Sequence, residues 1–245
     1  MHGDVWFLAA PERWDGDEVT LDESETHHAT RVLRAAPPDV ITVVDGNGLV
    51  ARCSIARVEH DLLVAHVLER KRMPAPIPQL GVYQGAAKGH KNDEAIERLA
   101  ELGVSDVTVF SSARSVVRWD EEKQQRLGER WRTIAGSVAK QSKNPYVTRT
   151  RGVDGFDAVV AAVAKEPLAI ALWEEAALPL RTALEFDARR IALVVGPEGG
   201  LERTEAEALA DAGAQLVSLG PRIFRTENAA AFACSAVMYH YGTLG

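Results

Sequence analysis

The sequence predicts an α/β protein in two parts: a small, barrel-like β module over residues 1–72 and a larger, mostly parallel α/β domain over residues 79–245. Three observations predict it. The first part carries β-branched runs joined by the turn Asp45-Gly46-Asn47-Gly48. Residues 73–78 then set Pro74, Pro76 and Pro78 at alternate positions, which no helix accepts and an extended linker favours. Beyond them, wholly apolar strand-like runs alternate with helical stretches, the pattern of a sheet covered on both faces.

The elements follow in order. "DVITVVDGNGLVARCSIARVE" reads as two strands about a tight turn, because Asp-Gly and Asn-Gly supply the positive φ that a hairpin needs. "SETHHATRVLR" reads as a short helix with Ser24 or Thr26 near its start, and "DLLVAHVLER" as a further strand. In the second part, "QLGVYQGAA" is a strand and "DEAIERLAELGV" an amphipathic helix closed by Gly103. "DVTVFSS" is a strand, "EEKQQRLGERWRTIAGSVAKQS" a long helix, and "LAIALW" and "IALVV" are buried strands. "TEAEALADAG" is a helix with Thr204 and Glu207 at capping-box spacing and Gly213 as its stop. "AQLVSLG" is another strand, and "AAAFACSAVMYHY" closes the chain as a helix.

With 245 residues, 46% of them apolar, the chain can bury a sizeable core. Cys53 and Cys234 stand far apart without metal-ligand spacing, so neither a disulfide framework nor a metal site is expected. "MHGDVWFLAAPERW" has Asp4 early and no basic run, unlike a secretory signal. The apolar stretch "FDAVVAAVAKEPLAIALW" is broken by Lys165, Glu166 and Pro167, so no membrane span is expected and a cytoplasmic protein is. The net charge of −7 argues against nucleic acid as a partner of the whole surface. Residues 114–151 nonetheless hold ten basic side chains against four acidic ones. That window reads either as a local phosphate-binding surface or as a solvated helix face with i,i+4 pairs.

In an open α/β sheet, ligands bind beyond the C-terminal ends of the strands. Two such ends carry glycine-proline loops: "VVGPEGG" after residue 195 and "SLGPRIFRTEN" after residue 217. Glycine there lets the backbone approach a ligand closely. Neither loop has the spacing of a phosphate-cradling motif. Glu198 inside the first loop would repel a nucleotide phosphate and tolerate a cationic ligand such as S-adenosylmethionine, unless it turns away to the next helix.

"VVGPEGGLERTEAEAL" followed by "VSLGPRIFRTENAA" resembles the paired signature of the SPOUT methyltransferases, and more narrowly that of the RsmE family of 16S ribosomal RNA (uracil-N3)-methyltransferases. "KGHKNDEAIERLAELGV", "ERWRTIAGSVAKQS" and "HHATRVLR" resemble the family's other motifs, in order, over nearly the whole chain. The departures are Asn228 where threonine is common, Lys143-Asn144-Pro145 where Gly-Arg is usual, and Lys91 where arginine is common. The resemblance implies a PUA-like β-barrel, a SPOUT domain with a C-terminal trefoil knot, a homodimer, and methylation of a uridine of 16S rRNA on the small ribosomal subunit.

It further implies that S-adenosylmethionine lies against Leu172, Gly196, Pro197, Glu198, Gly199 and Gly200, with Leu219, Gly220, Pro221, Ile223, Arg225, Thr226 and Ala229 completing the cradle. Arg225 and Glu227 are the catalytic candidates: the guanidinium as a stabiliser of charge developing on uracil oxygens, the carboxylate as one possible base, or the two as a mutual ion pair holding the loop. Arg31, Arg34, Lys88, Lys91, Arg114 and Arg118 are the candidate RNA contacts. Rival readings are a methyltransferase for another RNA base, a non-catalytic assembly factor and a nucleotide-dependent α/β enzyme.

Overall fold

The computed structural model describes residues 5–184 and 188–244; the early Asp4 lies outside them. The chain divides into two compact units. One runs to Ala75 and also takes in Gly136–Val147; the other holds Pro76–Ala135 and the chain from Thr148 onward. The chain therefore passes between the units three times. The segment 136–147, expected from the sequence in the second domain, joins the first by tertiary contact.

In the first unit, strands β1 (Trp6–Leu8), β2 (Trp14–Asp15) and β3 (Glu18–Thr20) precede helix α1 (Glu23–His27), followed by β4 (Val40–Val44), β5 (Leu49–Glu59) and β6 (Leu62–Arg72). They form one sheet in the order β1-β4-β5-β6-β3-β2, antiparallel except for β1 beside β4. The β4–β5 hairpin is present as expected. Asp45 Oδ1 accepts from the N–H of Asn47 (2.7 Å) and of Leu49 (2.9 Å), and Gly46 and Gly48 take positive φ. Phe7, Leu21, Ile41, Cys53, Ile55 and Leu63 fill the core. Helix α1 differs from expectation at its start: Asp22, not Ser24 or Thr26, is the N-cap, and its carboxylate accepts from Glu25 N at 2.8 Å. The helix then widens into a π-type turn over His28–Val32. Lys140 does not serve as a surface charge; it pairs with Glu25, itself 10% exposed at the side chain.

The second unit contains β7 (Gln79–Gly85), α2 (Lys91–Glu101), β8 (Asp106–Ser111), most of α3 (Glu121–Gln141), β9 (Arg149–Gly155) and α4 (Phe156–Val163). After these come β10 (Ala169–Leu172), β11 (Arg190–Val195), α5 (Arg203–Asp211), β12 (Gln215–Val217) and α6 (Thr226–His240). Its sheet has the order β12-β10-β11-β7-β8-β9 and every pair in it is parallel. Along β11, Ile191, Leu193 and Val195 join the core that contains Leu99, Trp131 and Val237, while Ala192 and Val194 join the one that contains Val159 and Leu209. Both faces are buried, which is why the strand is apolar throughout. β9 and α4 were not read from the sequence. "RTRGVDG" pairs with β8 alone, at the edge, and half-exposed edge strands carry no apolar run.

At the N-terminal edge of this sheet, Arg190 donates to both carboxylate oxygens of Asp106 (2.9 and 3.0 Å) and to Glu166 (2.8 Å). This fork ties β11 to β8 across β7. Gly81 of β7 makes room for it, since a Cβ there would lie 2.6 Å from the guanidinium. Helix α5 has a true capping box, but with Glu202 and Glu205 rather than Thr204 and Glu207. A carboxylate accepts the N3 amide as a hydroxyl does, so the helix starts two residues earlier than a serine/threonine rule suggests. Among the described residues, no helix is long and apolar enough to cross a membrane.

Candidate functional site

The strand order turns back between β7 and β11, and the loops after β10, β11 and β12 converge beyond the C-terminal ends of the strands. They enclose a cavity of about 680 Å³, within the range for a small-molecule site. All thirteen residues put forward for cofactor binding line it: Leu172, Gly196 to Gly200, Leu219, Gly220, Pro221, Ile223, Arg225, Thr226 and Ala229. Glu227 and Lys91 line it too. Trp173, Glu174, Ser218 and Phe224, not expected from the sequence, also line it. Trp173 and Glu174 follow "LAIAL", a strand end with no glycine to mark it.

The cradle is held by buried polar contacts. Gln84 Nε2 donates to Thr226 Oγ1 (2.7 Å), and Thr226 Oγ1 donates to Gly196 O (2.7 Å). One hydroxyl thus joins the end of β7, the loop after β11 and the start of α6. Gly196–Gly200 is a tight turn closed by Gly200 N to Pro197 O at 2.9 Å, with Gly200 at φ +72°. Asn92 donates to Gly85 O (3.2 Å) and accepts from Ala87 N (2.8 Å), fixing the chain beneath that turn.

The charges fall differently from expectation in one respect. Glu198 does not offer a free anion: its Oε1 accepts from Lys88 N (2.9 Å) and Lys91 Nζ (3.1 Å). The expected preference for a cationic ligand therefore does not rest on Glu198. Burial opposes ionisation of Glu198, yet hydrogen bonds from the Lys88 N–H and its own N–H, with the Lys91 ammonium, outweigh it and hold the carboxyl below its ordinary value of 4.5. A carboxylate whose folded pKa is depressed adds stability above its unfolded pKa and loses it as pH falls through the folded value. Thermal unfolding should show this. The gap in midpoint between the unaltered protein and Glu198→Gln should be constant above about pH 5 and shrink below 4.5; a gap that does not change with pH would dissociate Glu198 from the effect.

Arg225 is the N-cap of α6, but its side chain makes no capping bond, and it has no ion-pair partner among the described residues. The alternative of an Arg225–Glu227 pair is thus not what the geometry holds. Glu227 is 5% exposed and its Oε2 is buried without a hydrogen-bond partner. Buried polar atoms are seldom left unpaired, which sets this oxygen apart among the residues that line the cavity. The cysteines contribute nothing: burial pushes the Cys53 and Cys234 thiols up to about 12. Among the described residues no cluster of metal-ligand type occurs.

Of the candidate RNA contacts, Lys88, Lys91 and Arg114 meet at the first loop; Arg114 donates to Gly199 O at 2.9 Å. Arg118 is exposed on the segment before α3. Arg31 and Arg34 are exposed in the other unit, where Arg31 borders a shallow groove with Glu23, His27 and Asp61. The basic stretch is partly spent within the chain: Arg126 pairs with Glu122, Arg130 with Asp93 and Arg149 with Asp106.

The fold and this cavity define an RNA methyltransferase. The family described as "RNA methyltransferase domain" matches residues 73–238, and the "RNA methyltransferase PUA domain" matches residues 21–68. The chain belongs to the ribosomal RNA small subunit methyltransferase E family. It is 35% identical to the ribosomal RNA small subunit methyltransferase E of Mycobacterium bovis, over 91% of this chain and 86% of that one. It is 31% identical to the Bacillus subtilis protein of that name, over 90% and 89%. Among solved structures it resembles the Neisseria gonorrhoeae ribosomal RNA small subunit methyltransferase E bound to S-adenosyl methionine, with a TM-score of 0.84, 26% identity and coverage of 97% and 98%.

Proposed function

We propose that this protein transfers the methyl group of S-adenosylmethionine to N3 of a uridine in 16S ribosomal RNA, on the small ribosomal subunit. The observation that carries the reading is the three-loop cavity, which a glycine-rich backbone cradle lines together with Arg225 and Glu227. The fit to the cofactor is chemical. Leu172, Leu219, Ile223 and Ala229 suit an adenine ring, and the open backbone of Gly196 to Gly200 and Gly220 suits close hydrogen bonding. The relative from Neisseria gonorrhoeae was solved with this cofactor.

When bound, the cofactor supplies an already activated methyl group, so the chain's tasks are alignment and proton removal. The N3 proton of uracil is weakly acidic, and its loss leaves negative charge on the ring oxygens. Arg225, exposed and without an ion-pair partner among the described residues, would stabilise that charge. Glu227, which lines the same cavity and has one carboxylate oxygen buried without a partner among the described residues, is the group to accept the proton. The uridine leaves its stack to reach them. Lys88, Lys91, Arg114 and Arg118 in one unit, and Arg31 and Arg34 in the other, supply phosphate contacts.

Two further expectations belong to this reading. The 218–225 segment passes the loop after β11 as a trefoil knot, for which the buried Gln84–Thr226–Gly196 chain is the supporting contact. The active form is a homodimer. Support comes from apolar side chains at helical spacing on α6, with Phe232 50% and Tyr239 75% exposed, and from Ile223, 92% exposed. A ribosomal substrate sets the protein in the cytoplasm. The test is incubation of unmethylated small subunits with the protein and labelled S-adenosylmethionine, then nuclease digestion and mass spectrometry of the nucleosides. Labelled 3-methyluridine is the expected product; label in any other nucleoside, or none, refutes the assignment.

A further inference from the structure

Among the described residues, three carboxylates line the cavity: Glu174, Glu198 and Glu227. Glu198 is engaged by Lys88 and Lys91, and Glu227 is buried at the start of α6. Glu174 differs from both. It is exposed to the cavity, and it neither accepts a hydrogen bond nor joins an ion pair among the described residues.

Its position is nevertheless well held. Trp173 N donates to Val217 O at 2.9 Å. The Arg203 guanidinium stacks over the Trp173 ring, 5.4 Å from its centroid, and also pairs with Glu175. One arginine thus fixes the residues on both sides of Glu174 and leaves the carboxylate between them free. The carboxylate rests on Gly200: a Cβ there would lie 2.8 Å from Oε1 and 3.1 Å from Oε2. Gly200 is required for its φ of +72°, and its missing side chain leaves the carboxylate room at the cavity.

A carboxylate without a partner among the described residues, in a cavity that Lys91, Arg222 and Arg225 also line, attracts cationic or hydroxyl donors. We infer that Glu174 is a cofactor-binding residue, its carboxylate accepting hydrogen bonds from donor groups of the S-adenosyl cofactor; this rests on the cofactor reading above. It carries out the charge selection that the sequence had assigned to Glu198. The S-adenosyl group has two such sets of donors, the ribose hydroxyls and the ammonium.

Calorimetric titration separates them. Glu174→Ala and Glu174→Gln would be titrated with S-adenosylmethionine, S-adenosylhomocysteine and methylthioadenosine, beside the unaltered protein. Both variants should unfold at an unchanged temperature, since the side chain is exposed and unpaired. Glu174→Ala should bind S-adenosylmethionine and S-adenosylhomocysteine roughly ten-fold more weakly or worse, the loss of a hydrogen bond to a charged group. A matching loss for methylthioadenosine supports contact with the ribose; intact methylthioadenosine binding supports contact with the ammonium. Unchanged affinity of both variants for S-adenosylmethionine would overturn the inference. Failure of the unaltered protein to bind S-adenosylmethionine would overturn the cofactor reading beneath it.

Discussion

Gly85→Ala is expected to abolish S-adenosylmethionine binding and to lower thermal stability. A Cβ at Gly85 would lie 2.2 Å from Pro197 N and 2.5 Å from Gly196 C, both backbone atoms of the cradle. Neither side can yield cheaply. Gly85 is held by β8 through Phe110 and by Asn92, and Gly196 by Thr226. Overpacking of this kind costs about 1–3 kcal/mol, and here the displaced atoms are those that form the ligand site. Gly128→Ala is the internal control. Gly128 sits within α3 with open space about its Cβ position, so the same chemical change should stabilise by roughly 0.5–1 kcal/mol and leave binding alone. Calorimetry with S-adenosylmethionine, beside ATP, and thermal unfolding would measure both. A Gly85→Ala protein that binds the cofactor normally would mean that the cradle is not where the cofactor sits; binding of ATP alone by the unaltered protein would revive a nucleotide-dependent enzyme.

The second large effect falls on rate rather than on binding. Arg225→Ala should lower single-turnover methyl transfer by about 10²–10³, the usual loss when one donor to a developing anion is removed. The unfolding temperature should barely move, because the side chain neither caps α6 nor pairs with another residue among those described. Arg225→Lys should recover only part of the rate, since an ammonium keeps the charge but loses the planar fork. The contrast with Gly85→Ala is the useful feature: one change removes the cradle, the other only what is done at its mouth. A normal rate in Arg225→Ala would remove Arg225 from the chemistry and leave it as a surface charge.

The cavity was legible because of how it is built. Gly196, Gly200 and Gly220 mark backbone that side chains would obstruct, and proline beside glycine at two strand ends marks loops that do not simply turn into the next helix. Side-chain destinations were much less legible. Lys91, Arg114 and Lys140 all read as free cations in the sequence. Lys91 neutralises Glu198, Arg114 holds Gly199, and Lys140 meets Glu25, in each case across more than eighty residues of chain.

By itself the sequence determined the two-part organisation, the parallel sheet and the two loops at its C-terminal edge. These depend on local periodicity and on backbone freedom, properties that a residue carries with it. Only the tertiary structure decided that Gly136–Val147 packs with the β module, that β9 closes the edge of the sheet, and that Glu198 is paired while Glu174 has no partner among the described residues. The physical reason is the range of the interactions. A glycine turn is settled by the φ and ψ of one or two residues. Whether a carboxylate is free depends on which cation the fold brings within about 3 Å of it, and spacing along the chain does not encode that distance.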